Sequence, residues 1–130
     1  MNVLPNAANV PHAARLRVED FMLLGEHGAF DDYAKSELIE GEIVCMNAQF
    51  TRHASVKSDF ALELALCLRA IGSPLKAIVE VAVRLSDDTM PEPDIVLTDY
   101  RGDGPVPLET VALIVEVSDT TLATDLGRKA

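Results

Sequence analysis

Two carboxylates, Asp94 and Glu116, have sequence surroundings that suit a chemical site. Glu116 interrupts the apolar run Val111–Val117, so we expect its carboxylate to be buried or nearly so. An unpaired buried carboxylate is costly, and it needs a cation, hydrogen-bond donors or a catalytic role. Asp94 follows Pro93 at the predicted start of a strand, where its side chain can point into a crevice. Carboxylates on neighbouring strands can hold Mg²⁺ or Mn²⁺ through oxygen ligands, and the ion then activates water and stabilises charge on a phosphate.

Three further residues are candidates with serious alternatives. Lys129 follows Glu116 by thirteen residues and could neutralise developing negative charge, although a solvated lysine paired with Asp125 is the competing interpretation. His53 falls near the start of a predicted helix and is expected to face the sheet, either as a phosphate contact or as a core histidine. Glu37 opens a predicted hairpin strand and is the weakest candidate, because that hairpin is acidic throughout. Glu80 alternates with apolar residues and is interpreted as an ordinary surface side chain.

The elements that must position these residues follow from the hydrophobic pattern. The sequence predicts a short helix over 18–24, a hairpin over 36–46 and a long helix over 51–71. Strands are predicted over 76–85, 93–98 and 111–117, with a loop over 99–109 and a final helix beginning near residue 120. The apolar stripe of the long helix is expected to include Phe60, Leu64 and Ile71, and the strand 111–117 is expected at the sheet centre. This order predicts a mixed α/β domain.

Length and charge exclude several classes of protein. The chain has 130 residues, enough for one domain with its own core, and its 48% hydrophobic content is too high for a disordered chain. Twenty-one acidic residues against eleven Lys and Arg give a net charge of −10, divided equally between the two halves. Binding of nucleic acid by charge alone is therefore disfavoured, whereas a site that concentrates a divalent cation is not.

Location and redox chemistry are also constrained. No apolar run approaches the roughly 20 residues that span a bilayer, and the N-terminus has no signal-peptide core, so we expect a cytoplasmic protein with no membrane partner. Cys45 and Cys67 lie in apolar sequence without metal-ligand spacing, so buried reduced thiols are expected.

The motifs also resemble a known family. SELIEGEIV, then Arg52-His53, then EPDIV, then IVEVSDTTLATDLGRKA are similar to the Uma-type restriction endonucleases of the PD-(D/E)XK nuclease superfamily. The last block is the most specific, and the resemblance runs from about Val18 to the C-terminus. It implies a restriction endonuclease-like core and metal-dependent hydrolysis of DNA.

Carried over residue by residue, the resemblance assigns roles. Asp94 matches the PD aspartate and Glu116 the second acid, which together imply the metal site. Lys129 matches a lysine that has migrated into the following helix, with Ser118 in its usual place, while Glu37 and His53 match the family's first acidic and His positions. Mg²⁺ or Mn²⁺ is the implied cofactor.

Two departures shape the expected organisation. Ser36 replaces a family tyrosine, and the family's later Tyr-containing helix and Tyr-Trp strand have no counterpart before Ala130. We expect a flexible arm over 1–16 and a C-terminally truncated restriction endonuclease-like domain over 17–130, which a homodimer could complete. Two alternatives stay open: an inactive homologue acting as a dimerising or DNA-associated module, and an interaction domain in which Glu116 pairs with an arginine such as Arg84.

Overall fold

The computed structural model describes residues 9–118, in which a helix and a hairpin precede a long helix and five further strands. The elements are α1 (Val18–Glu26), β1 (Lys35–Ile39), β2 (Glu42–Met46), α2 (Thr51–Ala70), β3 (Lys76–Val79), β4 (Val83–Arg84), β5 (Ile95–Thr98), β6 (Val106–Pro107), a 3-10 turn (Leu108–Thr110) and β7 (Val111–Val115). This mixed α/β arrangement confirms the predicted fold class and is compatible with a restriction endonuclease-like core. The predicted arm and domain limits remain predictions.

The N-terminal hairpin forms as predicted and packs on α1. Glu40 and Gly41 both have positive φ angles, of 48° and 81°, which is the two-residue turn that matches the twist of a hairpin. Leu38 of β1 is fully buried beside Val18 and Phe21 of α1. Its backbone also exchanges two hydrogen bonds with Met90, at 3.2 and 2.7 Å. The hairpin and α1 therefore form one apolar cluster beside the segment that leads to β5.

The main sheet has the order β3-β5-β7 with antiparallel pairs. All four residues of β5 are buried, because this strand has a neighbour on each side. The strand predicted over 111–117 was expected at the sheet centre, and this expectation is wrong: among residues 9–118, β7 pairs with β5 alone and its middle residues are exposed. The apolar sequence of β7 does not by itself place it at the centre.

The strand predicted over 76–85 is interrupted. Glu80 has a φ of 52°, a left-handed conformation that a strand cannot continue through. The chain leaves the main sheet after Val79, and Val83–Arg84 pairs in parallel with Val106–Pro107 instead. The expected loop 99–109 accordingly contains a short strand. Val83 packs with Val96 and Val106 in a second apolar cluster.

Helix α2 spans the predicted range but faces the sheet with a different stripe. Phe60 and Ile71, which were expected to pack inward, are exposed. The side chains with reduced exposure instead recur at three- and four-residue intervals: His53, Ala54, Lys57, Ala61, Leu64, Ala65 and Leu68. Lys57 is the one residue of α2 that is fully buried. The helix thus brings a cation, not an aromatic ring, to the sheet.

Two smaller expectations have different outcomes. Cys45 and Cys67 are free thiols in the described chain, but Cys45 is only half-buried and Cys67 is exposed, so the expectation of buried thiols is wrong. No helix within residues 9–118 is long and apolar enough to cross a membrane.

Leu38 should contribute much more to stability than a strand leucine of similar size at the surface. Leu38→Ala removes fully buried methyl groups, so we expect the free energy of unfolding in urea to fall by about 2–5 kcal/mol. Leu113→Ala is the matched control, because Leu113 lies on β7 and is 48% exposed; its effect should stay below about 1 kcal/mol. Equal losses in the two variants would contradict this description of the core.

Candidate functional site

Three carboxylate residues lie in one row across an end of the main sheet. The antiparallel registers place the residues that follow β3, precede β5 and follow β7 side by side, and these are Glu80, Asp94 and Glu116. The backbone N–H of Glu80 donates to the carbonyl of Asp94 at 3.1 Å, which extends the β3–β5 ladder by one bond. Directly opposed residues on antiparallel strands have Cβ atoms about 4.5–5.5 Å apart. Asp94 and Glu116 are therefore cross-strand neighbours.

Asp94 is buried and held in one orientation. Its side chain is 3% exposed, and Oδ2 accepts the backbone N–H of Val117 at 2.7 Å. The other oxygen, Oδ1, accepts a long hydrogen bond from the Gln49 amide at 3.5 Å. Burial alone would raise the pKa of Asp94, but the Val117 N–H and the positive charges of Lys35 and Lys57 outweigh it and lower that pKa. Asp94 is therefore an ionised carboxylate with a fixed direction.

Glu116 differs from Asp94 in both exposure and charge state. It lies just beyond the end of β7, and its side chain is exposed, so the expectation of burial is wrong. Partial loss of water still raises the pKa of Glu116, and the negative charge of Asp94 raises it further. Because Glu116 lies at the end of the strand, its carboxylate can turn toward solvent. Two carboxylates thus share one site and repel each other.

Lys57 is a member of this site that sequence reasoning missed. Its side chain is 7% exposed, and its ammonium donates to Gln49 Oε1 at 2.8 Å and to Glu80. The same nitrogen lies 3.7 Å from Asp94 Oδ1, close enough for an ion pair but not for a hydrogen bond. The sequence signal that could have found Lys57 is its spacing of four residues from His53, which puts the two side chains on one face of α2. Glu80, which the sequence analysis interpreted as an ordinary surface residue, forms an ion pair with the buried Lys57.

His53 lies one helical turn before Lys57 and also faces Asp94. Its Nε2 is 3.7 Å from Asp94 Oδ2, and it is buried without a hydrogen-bond partner among residues 9–118. Buried polar atoms are nearly always satisfied, so an unpartnered ring nitrogen beside a carboxylate is a reason to look for a missing ligand. The expectation that His53 faces the sheet agrees with this position; its role stays a prediction.

Glu37 lies near the site with its carboxylate already engaged. Its Oε2 accepts the backbone N–H of Glu92 at 2.7 Å, two residues before Asp94. Burial raises the pKa of Glu92, and the charges of Glu80 and Glu37 add to that rise while Lys35 and Lys57 oppose it. Glu37 thus fixes the backbone that leads to Asp94.

Two further expectations from the sequence concern Lys129 and the pairing of Glu116 with Arg84. Lys129 lies outside the described residues. Arg84 binds Glu19 at 2.8 Å and Asp87 at 3.1 Å, and Glu116 stands opposite Asp94. The expected Glu116–Arg84 pair is therefore not formed within residues 9–118.

The donor set fits a divalent cation of the oxygen-binding kind. Within residues 9–118, no group of three or more His, Cys, Asp and Glu side chains is arranged to hold a metal ion. Mg²⁺ does not need one, since it is usually bound by one or two carboxylates together with water and phosphate oxygens. Asp94 and Glu116 supply two such carboxylates, and their mutual repulsion is what a cation would relieve. A cavity of about 490 Å³ opens beside Lys35, Gln49 and Glu80.

Comparison with known proteins assigns the chain to a family. The family model Uma2, described as "Putative restriction endonuclease", matches residues 18–130 and confirms the resemblance seen in the sequence motifs. No curated protein and no solved structure matches the chain.

Without metal, removing the charge of Glu116 should stabilise the protein at neutral pH. The pKa of Glu116 is raised in the folded protein. Such a carboxyl makes its full contribution to the free energy of unfolding below its unfolded pKa, and that contribution is lost as pH rises through the folded pKa. Glu116→Gln should therefore raise the melting temperature at pH 7 in EDTA. The gain should shrink as pH falls through the raised folded pKa and should vanish below the ordinary glutamate value of 4.5.

The matched control is Glu109→Gln, which removes the same charge from an exposed glutamate near the opposite end of β7. A neutral-pH gain of the same size in Glu109→Gln would show that net charge, not the Asp94–Glu116 contact, sets the effect.

Proposed function

Because the chain belongs to the Uma2 family of restriction endonucleases, we propose that it hydrolyses phosphodiester bonds of DNA with Mg²⁺ or Mn²⁺ held by Asp94 and Glu116. The observation that carries the proposal is the direct opposition of these two carboxylates across β5 and β7. One is buried and fixed, and the other reaches solvent, where a phosphate can approach. When bound, a divalent cation would activate water and stabilise charge on the phosphate.

The protein's own residues orient the groups of the site. The Val117 N–H holds one oxygen of Asp94, so that carboxylate is oriented before any ligand arrives. Glu37 fixes the backbone at Glu92, and this limits movement of the segment that carries Asp94. His53 has a ring nitrogen next to Asp94 that no group in the described part of the chain hydrogen-bonds, and we propose that it contacts a phosphate oxygen or a water of the site.

Two lysines have different proposed roles. Lys57 is a positioning residue, because its ammonium lies beside Asp94 and is bound by Gln49 and Glu80. It favours the ionised form of Asp94 and opposes the accumulation of negative charge in the row. Lys129, implied by the family motif, is proposed to neutralise charge on the reacting phosphate.

The net charge of −10 limits how DNA can bind. Duplex DNA and this protein repel each other at long range, so affinity must come from local groups of cations, to which a bridging metal ion would add. We further propose a cytoplasmic homodimer. The exposed apolar side chains of α2, among them Phe60 and Leu62, support the dimer as surface that a second copy could cover.

DNA cleavage tests the proposed function directly. Wild-type protein should nick or linearise plasmid DNA with Mn²⁺ or Mg²⁺, and chelation with EDTA should abolish the activity. Asp94→Asn and Glu116→Gln should each lower the single-turnover rate by about 10²-fold or more, since each removes a charge that the transition state needs. Glu109→Gln is the control for the removal of one negative charge and should cleave at the wild-type rate.

Cleavage at one rate by wild type and both site variants would overturn the metal site. Calorimetric titration with Mn²⁺ separates the proposed function from its alternative. A folded protein that binds no Mn²⁺ and does not cut DNA would support the inactive binding module.

The positioning role of Lys57 predicts a change in Asp94 itself. Lys57→Met removes a cation that lowers the pKa of Asp94, so that pKa should rise, as measured by NMR titration of the side-chain carboxyl carbon. Lys76→Met removes the same charge from the far end of β3 and should leave the Asp94 titration unchanged. A Lys57→Met protein that is folded and keeps the wild-type Asp94 pKa would contradict the role.

A further inference from the structure

A second cavity, of about 420 Å³, lies between the end of α2 and the start of β3 and carries an unusual set of charges. Its lining includes three cations, Arg69, Lys76 and Arg101, and no carboxylate. The whole chain has 21 acidic side chains against eleven Lys and Arg, so an all-basic cavity is the reverse of its overall balance. We infer that this cavity binds a backbone phosphate of DNA, which rests on the proposed function and gives it a second point of contact.

The three cations are available to a ligand. In the part of the chain that the structure describes, none of them forms an ion pair with a carboxylate. All three are exposed, so binding a phosphate needs no rearrangement of the core. Unpaired cations grouped around one concave surface are what phosphate recognition requires.

One of the cations is held in place before any ligand binds. The guanidinium of Arg101 donates to the carbonyls of Pro74 at 2.7 Å and Tyr100 at 3.3 Å, and this fixes its plane at the cavity. Ser73 adds a polar group, because its hydroxyl oxygen accepts the Leu75 N–H at 3.1 Å and its own proton is free to be donated. The cavity therefore presents a fixed fork of N–H groups together with a hydroxyl.

The C-terminal end of α2 opposes an anion only weakly. A helix C-terminus carries the equivalent of about half a negative charge, whereas the cavity carries three full positive charges. Arg69 in the last turn also offsets that helix dipole. The balance at the cavity remains positive.

The cavity and the Asp94 site lie at two ends of one seam between α2 and β3. Lys57 on α2 binds Glu80 just after β3, while Arg69 and Lys76 mark the other end of the same two elements. Lys76 precedes Glu80 by four residues, which is about 13 Å along an extended strand. This distance is short enough for one DNA duplex to contact both the cavity and the Asp94 site.

The test measures binding to a fluorescein-labelled DNA duplex by anisotropy over a range of salt concentrations, in EDTA so that no cleavage occurs. Arg69→Gln/Lys76→Gln should weaken binding by the same factor for unrelated DNA sequences. It should also reduce the slope of log K against log salt by about 0.9 for each phosphate that the variant no longer binds. Arg101 is left unchanged because it also anchors the loop.

Arg15→Gln/Arg17→Gln is the control, since it removes the same charge from exposed arginines before α1 and should keep the wild-type slope. The proposal is overturned if the cavity variant keeps the wild-type slope, if the control shows an equal reduction, or if the folded wild type binds no DNA. NMR shifts at Lys76 with inorganic phosphate alone, without any change in the DNA slope, would assign the cavity to free phosphate and overturn the DNA contact.

The two proposals fail in different ways. If only the cavity is wrong, the cavity variant binds like wild type while Asp94→Asn still abolishes cleavage. If only the catalytic assignment is wrong, Asp94→Asn and Glu116→Gln cleave like wild type, and the slope of the cavity variant still falls.

Discussion

The hydrogen bond from the Val117 N–H to Asp94 Oδ2, 2.7 Å long, is the contact on which the site depends. It joins the residue before β5 to the residues after β7, so it fixes the relation between two strands as well as the direction of one carboxylate. Without it, Asp94 would be buried with no backbone donor, and burial would raise its pKa. The antiparallel register then places Glu116 opposite Asp94, with no further element needed.

The site is a balance of charges rather than a collection of ligands. Glu80, Asp94 and Glu116 form a row of negative groups, and the buried ammonium of Lys57 offsets part of their repulsion. Partial loss of water raises the pKa of Glu116, and the negative charge of Asp94 adds to that rise. A protein with a net charge of −10 can approach DNA only where such a surplus is neutralised or where cations are grouped. Within residues 9–118, the Asp94 row and the cavity around Arg101 are suited to this.

The sequence predicted those features that depend on local pattern. The hairpin follows from Glu40-Gly41, helix α2 from its breaker at Gly72, and the position of Asp94 from Pro93 and the apolar strand after it. Features set by tertiary contact were missed. The break at Glu80 depends on a left-handed backbone conformation that glutamate rarely adopts, and no pattern of hydrophobic residues indicates it. Lys57 was overlooked because periodicity arguments follow apolar residues, whereas the face of α2 toward the sheet is built from alanines, leucines and two basic side chains.

The central claim is that Asp94 and Glu116 form one divalent-cation site, and an anomalous difference map from a crystal soaked in Mn²⁺ tests it most directly. We expect a peak between the two carboxylates, with Mn²⁺ about 2.0–2.6 Å from an oxygen of each. A map with no peak there, or with Mn²⁺ bound elsewhere while Asp94 keeps its bond to Val117, would contradict the account.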